Sequence, residues 1–162
     1  IARKLKKQNI YPDVFLCCCS GGGLIAGSST YLKESFSNLK IYCVEPRYYD
    51  DMKISLRKGK LTKIKIIKNT ICDALTVEVA GRKTFAINKR LLECGLTVSD
   101  YNVKNAIRFL KNNFNIVAEP GGAVPTAAFL SKYSSFYNKV VVIMVSGGNI
   151  DKKIFNKIMK ND

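Results

Sequence analysis

VFLCCCSGGGL, the stretch Val14–Leu24, decides the fold. Its first six residues are an uninterrupted apolar run bounded by Pro12-Asp13 and by glycines, which predicts a strand buried on both faces. A helix is predicted from Leu24 to about Phe36, and a second strand over Lys40–Val44. A strand, a glycine turn, a helix and a strand within about 30 residues form a βαβ unit, so we expect the two strands to be parallel neighbours.

Helices and strands alternate through the rest of the chain. We expect an α/β fold, an open and mostly parallel twisted sheet with flanking helices, built as a single domain without repeats. Val140–Val145 is the most apolar run and is predicted to be a central parallel strand. The other predicted elements are helices at Tyr48–Lys58, Thr84–Glu93, Tyr101–Asn112 and Ala123–Lys132, a strand at Leu96–Val98 and a short C-terminal helix.

Composition and charge narrow the class of protein. The 162 residues are 47% hydrophobic, which matches one globular domain. A net charge of +15 suggests nucleic acid, but the dense runs Arg3–Lys7 and Arg57–Lys68 lack the interleaved aromatics of a nucleic-acid module. No stretch reaches the ~18 apolar residues of a membrane helix. We expect a cytoplasmic protein without nucleic-acid or membrane partners; binding without steep salt dependence would dismiss the nucleic-acid alternative.

Cysteine and histidine usage constrains the chemistry. The six cysteines include Cys17-Cys18-Cys19, and adjacent residues on a strand point to opposite faces, so they make poor disulfide partners. No Cys-x-x-Cys pair is present to build a zinc site. We expect reduced, buried thiols in an intracellular protein. The sequence has no histidine, which removes the commonest general base from any mechanism.

Two glycine clusters lie where ligands bind in open α/β sheets, beyond the carboxyl ends of strands. In Ser20–Leu24, glycines let backbone N–H groups approach an anion closely, and the following helix adds the positive end of its dipole. Phosphate is therefore the natural ligand, although a tight turn without a ligand stays open. No Lys-Ser or Lys-Thr follows, which excludes a nucleotide-hydrolysing P-loop. The second cluster is Ser146–Asn149.

A dinucleotide site is the strongest competitor by local pattern. Gly21-x-Gly23-x-x-Ala26 fits the G-x-G-x-x-A fingerprint, and Glu45 closes the next strand, where an acidic residue binds the ribose in such sites. This interpretation leaves Ser146–Asn149 without a role. A noncatalytic NAD-binding module stays open at this point, and it would bind NADH without binding pyridoxal phosphate.

Six short motifs occur in an order that resembles one family. They are Ser20–Gly27, Val44–Pro46, Thr70–Ala74, Thr97–Ser99, Ala118–Ala123 and Ser146–Asp151. The sequence resembles the threonine dehydratases and serine racemases, fold-type II enzymes that use pyridoxal 5′-phosphate. The resemblance runs from about Tyr11 to Asp151. It implies that the chain is most of the large, cofactor-binding domain of such an enzyme.

The resemblance implies roles for eight residues around the cofactor. Ser146 would face the pyridine nitrogen. A neutral serine there keeps the nitrogen largely unprotonated and weakens the ring as an electron sink, which suits β-elimination; a strand cap is the alternative. Glu119 would lie near the cofactor, or would only cap a helix. Ala74 would line the ring, and the phosphate would be cradled by Ser20, Gly21, Gly22, Gly23 and Leu24.

The resemblance also implies a cation site. Glu45, the carbonyl of Tyr49 and Asp51 match the positions where racemase-like members bind Mg²⁺ or Ca²⁺, and Asp50 could assist as an outer acceptor. Two carboxylates and a carbonyl suit a hard cation. Acidic residues on a solvated helix start remain the alternative.

The family's Schiff-base lysine lies in an N-terminal Ser-x-Lys segment that nothing in this sequence matches. We therefore expect residues 1–162 to be a single partial domain, the C-terminal half, without the Schiff-base segment, the small domain or a regulatory domain. Alone it would be inactive. The intact protein is expected to be a homodimer that deaminates L-threonine or L-serine to a 2-oxo acid and ammonia by β-elimination, with serine racemisation as the alternative. Which hydroxy amino acid is preferred stays open.

Overall fold

Four parallel strands form the centre of the computed structural model, which describes residues 1–160. The strands are β1 (Val14–Cys18), β2 (Lys40–Pro46), β3 (Cys94–Val98) and β4 (Val141–Ile143), in the spatial order β3-β2-β1-β4. The helices are α1 (Ala2–Lys7), α2 (Gly23–Ser35), α3 (Asp51–Lys58), α4 (Arg82–Leu91), α5 (Asp100–Phe114), α6 (Pro120–Ser131) and α7 (Lys152–Lys160), with short 3₁₀ turns at Asp73–Leu75 and Tyr133–Phe136. The predicted α/β fold is confirmed.

The predicted βαβ unit is confirmed by strand pairing. β1 and β2 run parallel with Val14 opposite Lys40 and Cys18 opposite Val44, and α2 connects them. β4 pairs with the other side of β1. All carboxyl ends of the strands therefore meet at one edge of the sheet, and the glycine-rich turns that follow β1 and β4 are brought together there.

Side chains of β1 alternate between two cores because successive strand residues point to opposite faces. Leu16 packs with α5, α6 and α7 on one face, and Phe15 packs with α1, α2, α3 and α4 on the other. Both faces of β1 are buried along its whole length, which explains its uninterrupted apolar run. All six cysteines are free and five are buried, but Cys94 is exposed, so the expectation of buried thiols is wrong for that residue.

Two sequence-based details are corrected. The sequence predicts β4 at the centre of the sheet, but it is an edge strand among the described residues, and its side chains are only half-buried. An apolar run predicts a buried strand and carries no information about which neighbours it has. α3 begins at Asp51, later than the expected Tyr48, because Tyr48 adopts a left-handed conformation with φ of 75°. No helix within residues 1–160 combines the length and apolar character needed to cross a bilayer.

Candidate cofactor site

A cavity of about 300 Å³ opens between the carboxyl ends of β1 and β4. All eight residues that the sequence placed around a cofactor line it: Ser20, Gly21, Gly22, Gly23, Leu24, Ala74, Glu119 and Ser146. Three further lining residues were missed, namely Cys18, Leu75 and Gly121. Leu75 and Gly121 lie beside predicted residues, and the position of Cys18 at the end of β1 was the available signal. Four separate segments of the chain thus converge on one concave surface.

The glycine turn presents backbone donors to this cavity. Gly22 is the N-cap of α2 and has φ of 87°, a conformation that glycine adopts without strain. Within residues 1–160, the N–H groups of Gly21, Gly22, Gly23 and Leu24 donate no hydrogen bond. Free donors and the positive end of a helix of 13 residues form a ready site for an anion.

Ser146 and Cys18 meet on the opposite side of the cavity. Their Oγ and Sγ atoms are 3.3 Å apart, and either atom can be the donor. The serine hydroxyl is therefore held at the end of β4 by a neighbour on β1. The strand-cap alternative for Ser146 receives no support from this contact, because its partner is a side chain that faces the cavity.

Glu119 joins two of the converging turns. It is the N-cap of α6, but its side chain does not bond to its own helix. Its carboxylate accepts from the N–H of Asn149 at 3.0 Å, and its own N–H donates to the carbonyl of Gly147 at 3.0 Å. A Cβ at Gly147 would collide with the Glu119 carboxyl group, so that side chain would have to shift and its bond to Asn149 would be disturbed. A Cβ at Gly148 would lie 2.8 Å from the Val117 carbonyl oxygen. Both glycines therefore allow close packing against the segment that leads into α6.

Comparison with known proteins identifies the family. A family profile described as "Pyridoxal-phosphate dependent enzyme" matches residues 1–147. The chain belongs to this family of fold-type II enzymes. Threonine dehydratases and serine racemases are among its homologues.

Relatives of this member of the pyridoxal-phosphate family include enzymes named for different activities. The serine racemase of Schizosaccharomyces pombe is 35% identical over 86% of this chain and 43% of its own length. The L-threonine ammonia-lyase of Thermotoga maritima is 33% identical over 91% of this chain and 36% of its own length. The chain thus spans less than half the length of these curated relatives.

Solved structures show the same similarity in three dimensions. The T.th. threonine deaminase superimposes with a TM-score of 0.86 at 31% identity, covering 92% of this chain and 54% of that one. The serine racemase from Dictyostelium discoideum gives a TM-score of 0.81 at 30% identity, covering 93% of this chain and 48% of that one. The structures named threonine deaminase and serine racemase therefore match this chain at similar levels.

The second candidate site of this family member is an acidic pair, Glu45 and Asp51, at the carboxyl end of β2. Glu45 is fully buried, and its two carboxylate oxygens accept from the N–H groups of Met52 and Lys53, each at 2.9 Å. Burial raises the pKa of Glu45 well above its ordinary value, the Lys53 and Met52 donors partly oppose this, and the Asp51 charge adds to it. Glu45 thus caps α3 and does not line the cavity. That position gives no support to the ribose role of the dinucleotide alternative.

Asp51 is the unpaired member of the acidic pair. It is fully buried, and neither of its carboxylate oxygens has a hydrogen-bond partner within the described residues. Burial raises the pKa of Asp51 to about 7; the nearby backbone N–H groups of Asp51 and Ala80 partly oppose this, and the charge of Asp50 adds to it. A buried carboxylate without partners is costly, so its chemistry fits a hard cation that would supply them. The described residues contain no cluster of three or more acidic, cysteine or histidine side chains for a metal, so the backbone carbonyl of Tyr49 would have to complete the set.

Proposed function

We propose that this chain supplies the phosphate cradle and the pyridine contact of a pyridoxal-phosphate dependent ammonia-lyase that deaminates L-threonine or L-serine to a 2-oxo acid and ammonia. The observation that supports it best is the convergence of all eight family-type residues on one cavity. The names of the relatives, which include L-threonine ammonia-lyases, supply the reaction class.

The turn at Ser20–Leu24 binds the cofactor phosphate in this proposal. Its N–H groups have no acceptor among the described residues, and α2 adds its dipole, so a dianion at this place would gain several charge-assisted hydrogen bonds. The hydroxyl of Ser20 adds a further donor. Leu24 is about half exposed and offers an apolar contact at the rim of the cavity.

Ser146 and Glu119 orient the ring in this proposal. The cofactor, when bound, supplies the electron sink for breaking the bond between the amino acid's Cα and its proton. The Ser146 hydroxyl, held by Cys18, would donate to the pyridine nitrogen and leave that nitrogen unprotonated. Glu119 is held by the N–H of Asn149, and Ala74 leaves space for the ring.

The described residues that line the cavity include no lysine. We therefore assign these residues binding and orientation, and assign the Schiff base and the proton transfer to a lysine outside these 162 residues. The cytoplasmic location and the homodimer stay predictions.

A cation at the acidic pair is part of the proposal. Glu45, the Tyr49 carbonyl and Asp51 would hold Mg²⁺ or Ca²⁺, which would provide the buried Asp51 carboxylate with a partner. This feature favours serine racemisation as the second candidate function, because the racemase-like resemblance lies at these residues.

The test is a cofactor titration followed by a product assay on the full protein. We expect pyridoxal phosphate to bind and to gain the absorbance of a Schiff base, and L-threonine or L-serine to release ammonia. Chiral analysis of serine separates the candidates, since a racemase forms D-serine without an equal amount of ammonia. Binding of NADH without binding of pyridoxal phosphate would overturn both candidates.

A further inference from the structure

Helix α4 lies behind the glycine turn, on the side away from the cavity. Two of its polar residues, Thr84 and Asn88, are four positions apart and so share one face of the helix. Neither lines the cavity. Asn88 is nevertheless fully buried, and sequence analysis gave neither residue a role.

Both side chains bind carbonyl groups of the glycine turn. The Thr84 hydroxyl lies 2.5 Å from the Gly21 carbonyl oxygen and 2.9 Å from the Gly81 carbonyl oxygen, so its single proton goes to the nearer acceptor, Gly21. The N–H of Gly81 donates to the same Gly21 oxygen at 3.1 Å. The Asn88 amide donates to the Gly22 carbonyl at 3.3 Å, and the same oxygen accepts from the N–H of Ala26 in the first turn of α2 at 3.0 Å. Two consecutive carbonyls of the turn are therefore directed at α4.

Because the peptide group is planar, these contacts to carbonyl oxygens also fix the direction of the N–H groups that follow. In a planar trans peptide, the C=O of one residue and the N–H of the next point in opposite directions. Holding the Gly21 carbonyl toward α4 turns the N–H of Gly22 away from it, and holding the Gly22 carbonyl does the same for Gly23. Both residues line the cavity, and no residue of α4 does, so N–H groups turned away from α4 are available to a phosphate bound there.

The close approach of α4 also explains one glycine. A Cβ at Gly22 would lie 2.9 Å from Asn88 Nδ2, 2.9 Å from Met52 Cε and 3.0 Å from Thr84 Oγ1. The turn therefore packs directly on the polar face of α4. Asn88 Oδ1 has no hydrogen-bond partner within residues 1–160, so the buried amide is retained at a cost, and its donated bond to the turn is the gain.

We propose that Thr84 and Asn88 are positioning residues, which hold the Gly21 and Gly22 carbonyls toward α4 and so fix the N–H groups of Gly22 and Gly23 for the phosphate. This inference rests on the proposed phosphate site. It predicts that the two residues contribute to the recognition of the phosphate group alone and not to the rest of the cofactor.

The experiment compares pyridoxal phosphate with pyridoxal, which lacks the phosphate, in the full protein. Thr84→Val keeps the shape of the side chain and removes its hydroxyl. We expect about a tenfold or larger loss of affinity for pyridoxal phosphate, as for one misdirected charge-assisted hydrogen bond, with pyridoxal affinity unchanged. Asn88→Leu should act in the same direction with a smaller effect, because the N–H of Ala26 still holds the Gly22 carbonyl. Thr84→Ser keeps the hydroxyl and should keep the preference for pyridoxal phosphate over pyridoxal.

A matched control is Thr30→Val in α2, whose hydroxyl donates to the Ala26 carbonyl at 2.9 Å away from the turn. This control should leave the ratio of the affinities for pyridoxal phosphate and pyridoxal unchanged. If Thr84→Val and Asn88→Leu weaken both ligands equally, or only lower Tm, the positioning role is overturned while the phosphate site stands. If the unmodified protein does not prefer pyridoxal phosphate to pyridoxal, the phosphate site itself fails, and this inference fails with it.

Discussion

The glycine turn and the acidic pair each lie where a strand leads into a helix, β1 into α2 and β2 into α3, yet the two helix starts differ in whether their N–H donors are bound. At the start of α2, the N–H donors have no acceptor within residues 1–160, and their residues line a cavity. At the start of α3, two N–H groups are already bound by Glu45. The comparison shows that a helix start beyond a strand is open to an anion only where the chain has not supplied its own carboxylate.

The largest effect is expected from a substitution in the glycine turn. Gly22→Ala forces a Cβ against Asn88 and Met52 at φ of 87°, so the turn must move. We expect about a hundredfold loss of affinity for pyridoxal phosphate, measured by absorbance titration, because the N–H groups lose their alignment. Gly27→Ala in α2 is the matched control, since nothing lies within 4 Å of its added Cβ, and it should bind normally and be slightly more stable. Equal affinity of the two variants for pyridoxal phosphate would contradict the proposal that the glycine turn binds the cofactor phosphate.

The second effect is a pH dependence of stability that comes from the acidic pair when no cation is added. The pKa of Asp51 is raised to about 7, so the folded protein binds this proton more tightly than the unfolded chain. Stability from this group is complete below the ordinary pKa of an aspartate and is lost as pH rises through about 7. We expect the free energy of unfolding in EDTA to fall by about 1–3 kcal/mol between pH 5 and pH 8, from about 1.4 kcal/mol per pKa unit.

Asp51→Asn should reduce this pH dependence in urea denaturation, and the part that remains belongs to Glu45, whose pKa burial also raises. Glu34→Gln, an exposed carboxyl on α2, is the control and should leave the pH profile as it is. A profile that Asp51→Asn does not change would assign the dependence to other groups.

A smaller effect tests whether a cation completes the acidic pair. At pH 8, Ca²⁺ at ten times its dissociation constant should stabilise the protein by about 1.4 kcal/mol, read as a rise in Tm. The rise should vanish in Asp51→Asn. Equal stabilisation of the two proteins would place the cation elsewhere.

The smallest effect separates ring contact from phosphate contact. Ser146→Ala removes the hydroxyl that Cys18 holds and leaves the turn intact. We expect about a threefold loss of cofactor affinity, as for one neutral hydrogen bond, together with a changed absorbance of the bound cofactor. A loss as large as that of Gly22→Ala would shift the main binding role away from the turn.

Local sequence patterns predicted the βαβ unit and the two glycine clusters beyond the strand ends, because parallel strands bring their carboxyl ends to one edge. Ala74 and Glu119 were placed at the cavity only by the resemblance to the family. They could not predict what lies behind the turn. Thr84 binds Gly21 across 63 positions of sequence, and a polar residue on an amphipathic helix gives no sign of its partner. The edge position of β4 and the left-handed Tyr48 were missed for a similar reason, since pairing order and single backbone conformations leave no periodic signal.

The edge position of β4 has a practical consequence for handling residues 1–162 by themselves. Among the described residues, Val141–Ile143 pairs only with β1, so one side of this half-exposed apolar strand offers free backbone groups. Such an edge is a template for pairing with another strand, in a second copy or in an aggregate. The isolated chain should therefore self-associate with rising concentration, and a lysine at an exposed position such as Val140 should increase its solubility.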